Sequence, residues 1–385
     1  MEYSKEDNVT ALVLGGHINA YGIVRSLYKT CKVVSIADSS SMISVSNLLD
    51  DFIPFDKNKD SILGLINDFS VKNPERKIVL FATADWHLEE LCNQDLRNNV
   101  FWSSLYFDTS YNSKIEQYKL AEKAKVNYPK TVCGSPADII NALSKEEQFI
   151  NVVKPISRDN RELDAKSYFR AKKFINNQST INFLSRRDPH EQFLVSEVIK
   201  AHPSQVWSCL CICEKGEIVA CWTGRKLSQS PWEFGVFASS VAEWNARVYE
   251  QAKALVKEGG FSGIVQPEFK YCIERDKYFL MEINFRYMMW HYTGKLAGVN
   301  LPKIDIAHSL GMDLPDTLIN SSQLGQSKVY TYNTLHLINV LKRDNVVGNL
   351  LLFLKYLINP FVIHASFCSR DWKPFFKNTF GRFFK

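Results

Sequence analysis

A strand that stops at two glycines and turns into a helix constrains this chain more than any other local pattern. Ala11-Leu12-Val13-Leu14 is uninterruptedly apolar and ends at Gly15-Gly16, after which apolar residues recur at helical spacing at Ala20, Ile23, Val24 and Leu27. A second strand-like run, Lys32 to Asp38, closes on a carboxylate, and a third, Ile78 to Thr83, stops before Ala84-Asp85, where Asp85 is placed to cap the next helix. Strands that alternate with helices imply a parallel α/β sheet. Strand, glycine turn, helix, strand and terminal acid is also the order of a Rossmann-type unit, which seats a pyrophosphate on the helix N-terminus. Gly15 and Gly22 do not make Gly-x-Gly-x-x-Gly, so a plain tight strand-to-helix turn fits better than a dinucleotide site.

At 385 residues the chain is long enough for two or three domains of about 150 residues each. Its 45% hydrophobic and 23% charged composition excludes a disordered, collagen-like or coiled-coil protein. Forty-seven basic against 41 acidic residues give a net charge of +6, too dilute for a nucleic-acid groove. Met1 to Asp7 carries mixed charge instead of a basic start and an apolar run, so a cytoplasmic protein is expected. The most apolar stretch, Leu350 to Ile363, is broken by Lys355, Asn359 and Pro360, which argues against a membrane span. None of the nine cysteines forms Cys-x-x-Cys; Cys209, Cys211 and Cys213 alternate as one face of a strand and read as reduced core thiols.

Beyond about residue 113 the pattern changes. An amphipathic helix from Lys114 to Ala124 precedes Tyr128-Pro129-Lys130-Thr131 and a strand, Phe149 to Pro155, whose Lys154 closes an apolar run. Such a lysine needs an anion or a carboxylate and is a candidate phosphate ligand. Phe193 to Ile199 reads as another strand. Val206 to Cys213 pairs with Glu217 to Thr223 across Lys215-Gly216, and Gly263 to Lys270 pairs with Lys277 to Asn284 across Glu274-Arg275-Asp276. Glu282 and Asn284, two apart, share a face, and with Glu268 of the neighbouring strand they form a patch of hard oxygen donors suited to magnesium beside nucleotide phosphates. Arg286 can join that face and hold an anion. The plain alternative is a solvated hairpin face carrying surface charge pairs.

Taken together these segments resemble the ATP-grasp superfamily, in particular its carboxylate-amine ligase branch with a Rossmann-like domain ahead of the ATP-grasp fold. Gly15 to Leu27 resembles the opening of that first domain, and Lys114 with Tyr128-Pro129-Lys130-Thr131 the entry to the second. Lys154-Pro155 is similar to the phosphate-binding strand, Ser196-Glu197-Val198-Ile199 to the hinge facing adenine, and Gly224-Arg225-Lys226-Leu227 to the basic strand near the γ-phosphate. Gln266-Pro267-Glu268-Phe269-Lys270 and Glu282-Ile283-Asn284-Phe285-Arg286 resemble the two metal-carrying motifs.

The resemblance implies α/β and α+β architecture: a Rossmann-like domain over 1–112, an ATP-grasp domain with mixed and antiparallel sheets over 113–310, and a C-terminal helical extension over 311–385. It further implies ATP and two magnesium ions, with manganese as a substitute. Lys114, Lys154, Lys270, Ser196, Glu197 and Ile199 would bind nucleotide, Glu268, Glu282 and Asn284 would bind metal, and Arg286, Arg225 and Lys166 would act on the transferred phosphoryl group. His291, just past the metal motif, reads as structural more readily than as substrate-facing. The loop Ser157 to Asp164 departs from the family by lacking a glycine-rich lid; Arg158 or Arg161 would have to substitute.

The activity so implied is ADP-forming amide synthesis from a small carboxylate and an amine, with an amino acid joined to a cell-envelope precursor or to a lipid-linked or polymeric saccharide. An ATP-dependent carboxylase, a non-catalytic nucleotide-binding regulator and a nicotinamide-dependent oxidoreductase are the alternatives. The tail from Arg370 to Lys385 carries five cations, one acid and six aromatics, which suits peripheral contact with a membrane or a helix packed on the body with a basic outer side.

Overall fold

The computed structural model describes residues 8–156, 171–230, 235–314, 328–332 and 358–380, with positions 335, 351 and 354. Among these residues sixteen strands form three sheets.

The first sheet contains β1 (Val9–Leu14), β2 (Lys32–Ala37), β3 (Asp51–Pro54), β4 (Lys77–Ala82) and β5 (Val100–Phe101), ordered β3-β2-β1-β4-β5 with every pair parallel. All six residues of β1 are buried, which explains their unbroken apolarity: a parallel strand covered on both faces has no solvent side. Ala11 and Val13 pack with the helix Ile18–Leu27, whereas Leu12 and Leu14 pack with residues of the helices Ile62–Lys72 and Asp85–Leu91. Gly15 has φ +109°, and a Cβ there would lie 2.3 Å from Thr83 Oγ1; one on Gly16 would lie 2.2 Å from Ser41 Cβ. Both glycines are therefore required by close packing of the chain on itself, as a tight turn demands. Asp85 opens its helix without capping it. The His87 Nδ1 atom accepts from the backbone N–H groups of Thr83 at 3.2 Å and Ala84 at 3.3 Å instead.

The second sheet is antiparallel, with β6 (Thr131–Gly134), β7 (Asn151–Pro155), β8 (Lys172–Phe174) and β9 (Phe193–Glu197) in the order β6-β9-β7-β8. It closes its own small core of Ile139, Leu143, Val153, Leu184, Phe193 and Val195. The third sheet runs β14-β13-β10-β11-β12-β15-β16, comprising β10 (Val206–Glu214), β11 (Glu217–Ser230), β12 (Val236–Ala242), β13 (Gly263–Cys272), β14 (Lys277–Asn284), β15 (Val329–Thr331) and β16 (Val362–His364). It is antiparallel except for its last pair. One face packs Cys209, Cys211, Cys213, Val265 and Phe269 together with Val248, Ala252 and Leu255 of the helix Ala246–Gly259. The three cysteines are buried and free, as their spacing suggested. Strand β11 extends well past the Thr223 end read from the sequence, because Arg225 to Ser230 continue pairing with β12.

The tail is clasped to the first unit. Asp371, fully buried, accepts from Tyr21 Oη at 3.0 Å, Ser46 Oγ at 2.5 Å and the Asn47 backbone at 2.8 Å. In the final described helix, Lys373–Phe380, Lys377 Nζ donates to Ser39 O at 2.7 Å and Ser44 Oγ at 2.6 Å. Among the described residues no helix is long and apolar enough to cross a membrane.

Candidate active site

Residues opposite one another in an antiparallel ladder share a face. Glu268 of β13 lies opposite Glu282 of β14, and Gln266 opposite Asn284. On the other side of β13, Ser208 of β10 faces Glu268 and Val206 faces Lys270; across β10, Val206 meets Lys226 of β11. Lys226, Lys270, Ser208, Gln266, Glu268, Glu282 and Asn284 therefore occupy one side of the third sheet. Lys226 Nζ is 2.7 Å from Glu268 Oε2, both side chains nearly covered. Lys114, the first residue of the helix Lys114–Lys123, reaches from the edge: its Nζ lies 3.6 Å from Glu282 Oε2 and donates to Met281 O at 3.1 Å. Gln117 of the same helix fixes β14 by donating to Ile283 O at 2.9 Å and accepting from Ile283 N at 2.8 Å. Asn284 Nδ2 donates to Glu282 Oε1 at 3.3 Å.

Lys154, at the end of β7, brings the second sheet to this patch. Its burial, and then the neighbouring Lys114 ammonium, lower its pKa to about 7, with Lys270 acting in the same direction. Lys114 goes the other way: burial disfavours its charge, but Glu282 and Tyr118 more than restore it. Burial likewise works to raise Glu282, and Lys114, Lys226 and the Asn284 amide overcome it, holding the carboxyl below its ordinary value. Four lysines against two carboxylates leave the patch net positive even with Lys154 neutral. Such a site is matched to a polyanion.

The hinge segment is pinned through its side chains. Ser196 Oγ lies 2.9 Å from Thr131 Oγ1, and Glu197 accepts from Lys130 N at 3.1 Å. Arg275, in the β13–β14 turn, grips Glu197 with two bonds of 3.0 and 2.7 Å. Ile199 packs with Cys272, Phe279 and Met281. The Glu197 carboxylate thus ties β9 to the third sheet.

Two further expected residues stand elsewhere. Arg225 is on the opposite face of β11, 2.8 Å from Glu243 Oε2 and over the Trp207 ring at 5.8 Å. Arg286 projects toward the first unit, its Nε 2.7 Å from Asp85 Oδ1. Lys166, with Arg158 and Arg161, lies outside the described residues. His291 is buried, with Nε2 2.9 Å from Asn19 O, and burial lowers its pKa to about 4, as befits a structural histidine. Lys226, quoted within its motif but given no role of its own, is the cation that meets Glu268.

Whether this patch fits magnesium can be tested on its donors. Glu268, Glu282 and Asn284 supply hard oxygens, and on the same face the buried Ser208 Oγ and Gln266 Oε1 have no hydrogen-bond partner among the described residues. Such orphaned oxygens are costly unless a ligand or its water satisfies them. Among the described residues no three His, Cys, Asp or Glu side chains converge so as to hold a metal ion by themselves, so a cation would need phosphate or water oxygens to complete its shell. The donor set fits a magnesium ion that arrives with a nucleotide.

Comparison with known proteins bears on the fold. No family model matches the chain. D-aspartate ligase of Enterococcus faecium (strain Aus0004) is 21% identical over 326 residues, covering 79% of this chain and 77% of that protein. Among solved structures, an ADP complex of PurK, N5-carboxyaminoimidazole ribonucleotide synthetase, superposes with a TM-score of 0.61 at 11% identity, covering 89% of this chain and 85% of that one. Biotin carboxylase from Campylobacter jejuni gives 0.60 at 13% identity over 83% and 74% of the two chains. L-amino acid ligase from Bacillus licheniformis gives 0.55 at 12% over 83% and 76%. The chain has the ATP-grasp fold. In this fold the first sheet is the Rossmann-like unit, and Lys154 of the second sheet lies beside Lys114 and Lys270 near the carboxylate patch of the third sheet.

Proposed function

We propose that this ATP-grasp chain is an ADP-forming carboxylate-amine ligase, with domains at 1–112, 113–310 and 311–385. The observation that carries the reading is the facing pair Glu268 and Glu282, with Asn284, inside a ring of four lysines. Lys114, Lys154 and Lys270 bind the phosphates of ATP. Glu268, Glu282 and Asn284 would hold magnesium, two ions or manganese in their place, which would supply charge neutralisation at the phosphate oxygens. Lys226 balances Glu268 until that charge arrives. The γ-phosphoryl group passes to a substrate carboxylate oxygen, giving ADP and an acyl phosphate. The amine nitrogen then attacks the acyl carbon, phosphate leaves with the C–O bond electrons, and the nitrogen loses a proton. Aligning charged reactants and excluding water supplies the rate.

Arg286, oriented by Asp85 at the boundary between the units, is assigned to the acyl phosphate. Lys166 keeps its assignment to the phosphates. Glu197 acts as a clasp at the hinge, and Ser196 and Ile199 build the wall behind adenine. The names of the similar ligases point to an amino acid as one of two small substrates. A lipid-linked or polymeric saccharide acceptor and cytoplasmic placement extend the same proposal.

A matrix of carboxylates and amino acids, scored by ADP release and product mass, tests it. ADP release that needs both partners and yields the amide mass supports the ligase. Bicarbonate-dependent release would replace it with a carboxylase, ATP binding without turnover with a regulator, and hydride transfer with an oxidoreductase.

A further inference from the structure

Large apolar side chains that remain exposed are unevenly distributed along this chain. Of thirteen such residues among those described, seven fall between 351 and 376: Leu351, Leu354, Ile358, Phe361, Phe367, Trp372 and Phe376. The other six, from Val71 to Ile273, are scattered singly over the preceding chain and need no explanation. Ile358 and Phe361 are 84% and 65% exposed, Trp372 and Phe376 51% and 48%.

Charge separates this surface from an ordinary unfinished core. The described part of the tail, 370–380, contains Arg370, Lys373 and Lys377 and a single acid, Asp371. That acid is fully buried and occupied by Tyr21, Ser46 and Asn47. Lys377 turns inward to Ser39 and Ser44, leaving Arg370, Trp372, Lys373 and Phe376 on the outer side. Trp372 and Phe376 meet edge to face at 5.4 Å, a compact aromatic pair with the exposed Arg370 and Lys373 beside it in the chain. Amphipathic cations beside half-exposed aromatics match the boundary where anionic headgroups meet acyl chains.

We infer that this outer surface docks on an anionic lipid bilayer. The Asp371 clasp holds it on the folded body, so little ordering is needed on contact. The inference is independent of the reaction assigned to the cleft. Truncating the tail would remove Asp371 along with the surface, so the experiment uses full-length protein and point variants that spare the clasp. Wild type, Trp372→Ser/Phe376→Ser and Arg370→Glu/Lys373→Glu are sedimented with vesicles of phosphatidylcholine alone or containing roughly 30% phosphatidylglycerol, with melting temperatures measured in parallel.

The wild type should sediment only with the anionic vesicles, each double variant should bind at least about tenfold more weakly at unchanged melting temperature, and raising salt should release the wild type. Equal binding to neutral vesicles, no binding to anionic ones, or full binding by either folded variant overturns the inference. A concentration-dependent dimer abolished by Trp372→Ser/Phe376→Ser would also overturn it, assigning the surface to a second copy of the chain.

Discussion

Replacing Lys154 by Met separates two roles that one ammonium plays in opposite directions. In the unliganded protein Lys154 is a liability: burial and the Lys114 charge bring its pKa from 10.5 to about 7. Removing a proton at pH 8 from a lysine that would keep it to 10.5 in the unfolded chain costs roughly 3 kcal/mol, at 1.36 kcal/mol for each pH unit. Methionine fills a similar volume without that cost. The variant should therefore be more stable than wild type by about 2 to 3 kcal/mol at pH 8, a few degrees in melting temperature. Between pH 7 and 10.5 the folded wild type binds fewer protons at this site than the unfolded chain, so this contribution makes stability rise with pH, and the variant should lack it. A triphosphate reverses the preference by favouring the charged form, so ATP binding at pH 8 should take up close to one proton in wild type, seen as a buffer-dependent heat in calorimetry. Lys154→Met should bind ATP at least about tenfold more weakly with that uptake gone. Equal ATP affinity in the two proteins, or a variant less stable than wild type across this pH range, would refute the placement of Lys154 at the phosphates.

Four further outcomes follow from the same geometry. Glu282→Gln keeps shape but removes the charge opposite Glu268, so turnover should fall more than about a hundredfold with the fold intact; near-normal rates at saturating magnesium would reject its metal role. Lys226→Met strips the buried Glu268 of its partner and should lower stability by about 3 kcal/mol, with magnesium and nucleotide restoring more of it than in wild type, read by thermal denaturation. Asp371→Ala leaves three donors on the first unit unanswered and should cost about 2 to 4 kcal/mol, against which an unchanged melting temperature would count. His291 is held neutral to about pH 4 while an unfolded histidine charges near 6.5, so its contribution to stability is lost as pH falls through that window. His291→Gln should show a flatter acid limb in a plot of melting temperature against pH.

The readily legible parts of the sequence were those whose pattern reports burial directly. Apolar runs located β1, β2, β4 and β7, and the glycine turn after Leu14 marked the α/β unit. Short or polar strands such as β3, β8 and β15 left no such trace, because their pairing is supplied by neighbours already in place. The helix Ala246–Gly259 is not among the elements the sequence pattern singles out, although its ends are well marked, with Asn245 accepting from Val248 N and Gly260 in the left-handed conformation. The ion pair of Glu197 with Arg275 could not be read at all, since it joins residues 78 positions apart across two sheets. The tail's acid looked like one charge among many, and its burial under Tyr21 is a tertiary fact.

The position of Arg225 on the far face of β11 has a specific cause, and it lies in one extra residue. Strands β10 and β11 begin in the register set by the Lys215-Gly216 turn, Glu214 with Glu217 and Cys213 with Ile218, but the next pair is Ile212 with Ala220. Val219 is thus the extra residue of a β-bulge, and everything beyond it changes side. A straight hairpin would have set Arg225 opposite Val206, on the face of Lys270; the bulge sets Lys226 there and turns Arg225 toward Glu243. Strands β13 and β14 repeat the device, pairing Phe269 with Leu280 and then Glu268 with Glu282, so that Met281 is the extra residue. Without it Glu282 would have faced away from Glu268. A one-residue slip exchanges the two faces of a strand, and here two slips act together: one brings the second carboxylate to the first, and the other brings Lys226 to balance it. Period-two reading follows a strand only as far as its first bulge, which is why Lys226 needed the structure. The carbonyl of the bulged Met281 also accepts from Lys114 Nζ, so the irregularity that assembles the carboxylate pair also anchors one of the cations opposite it.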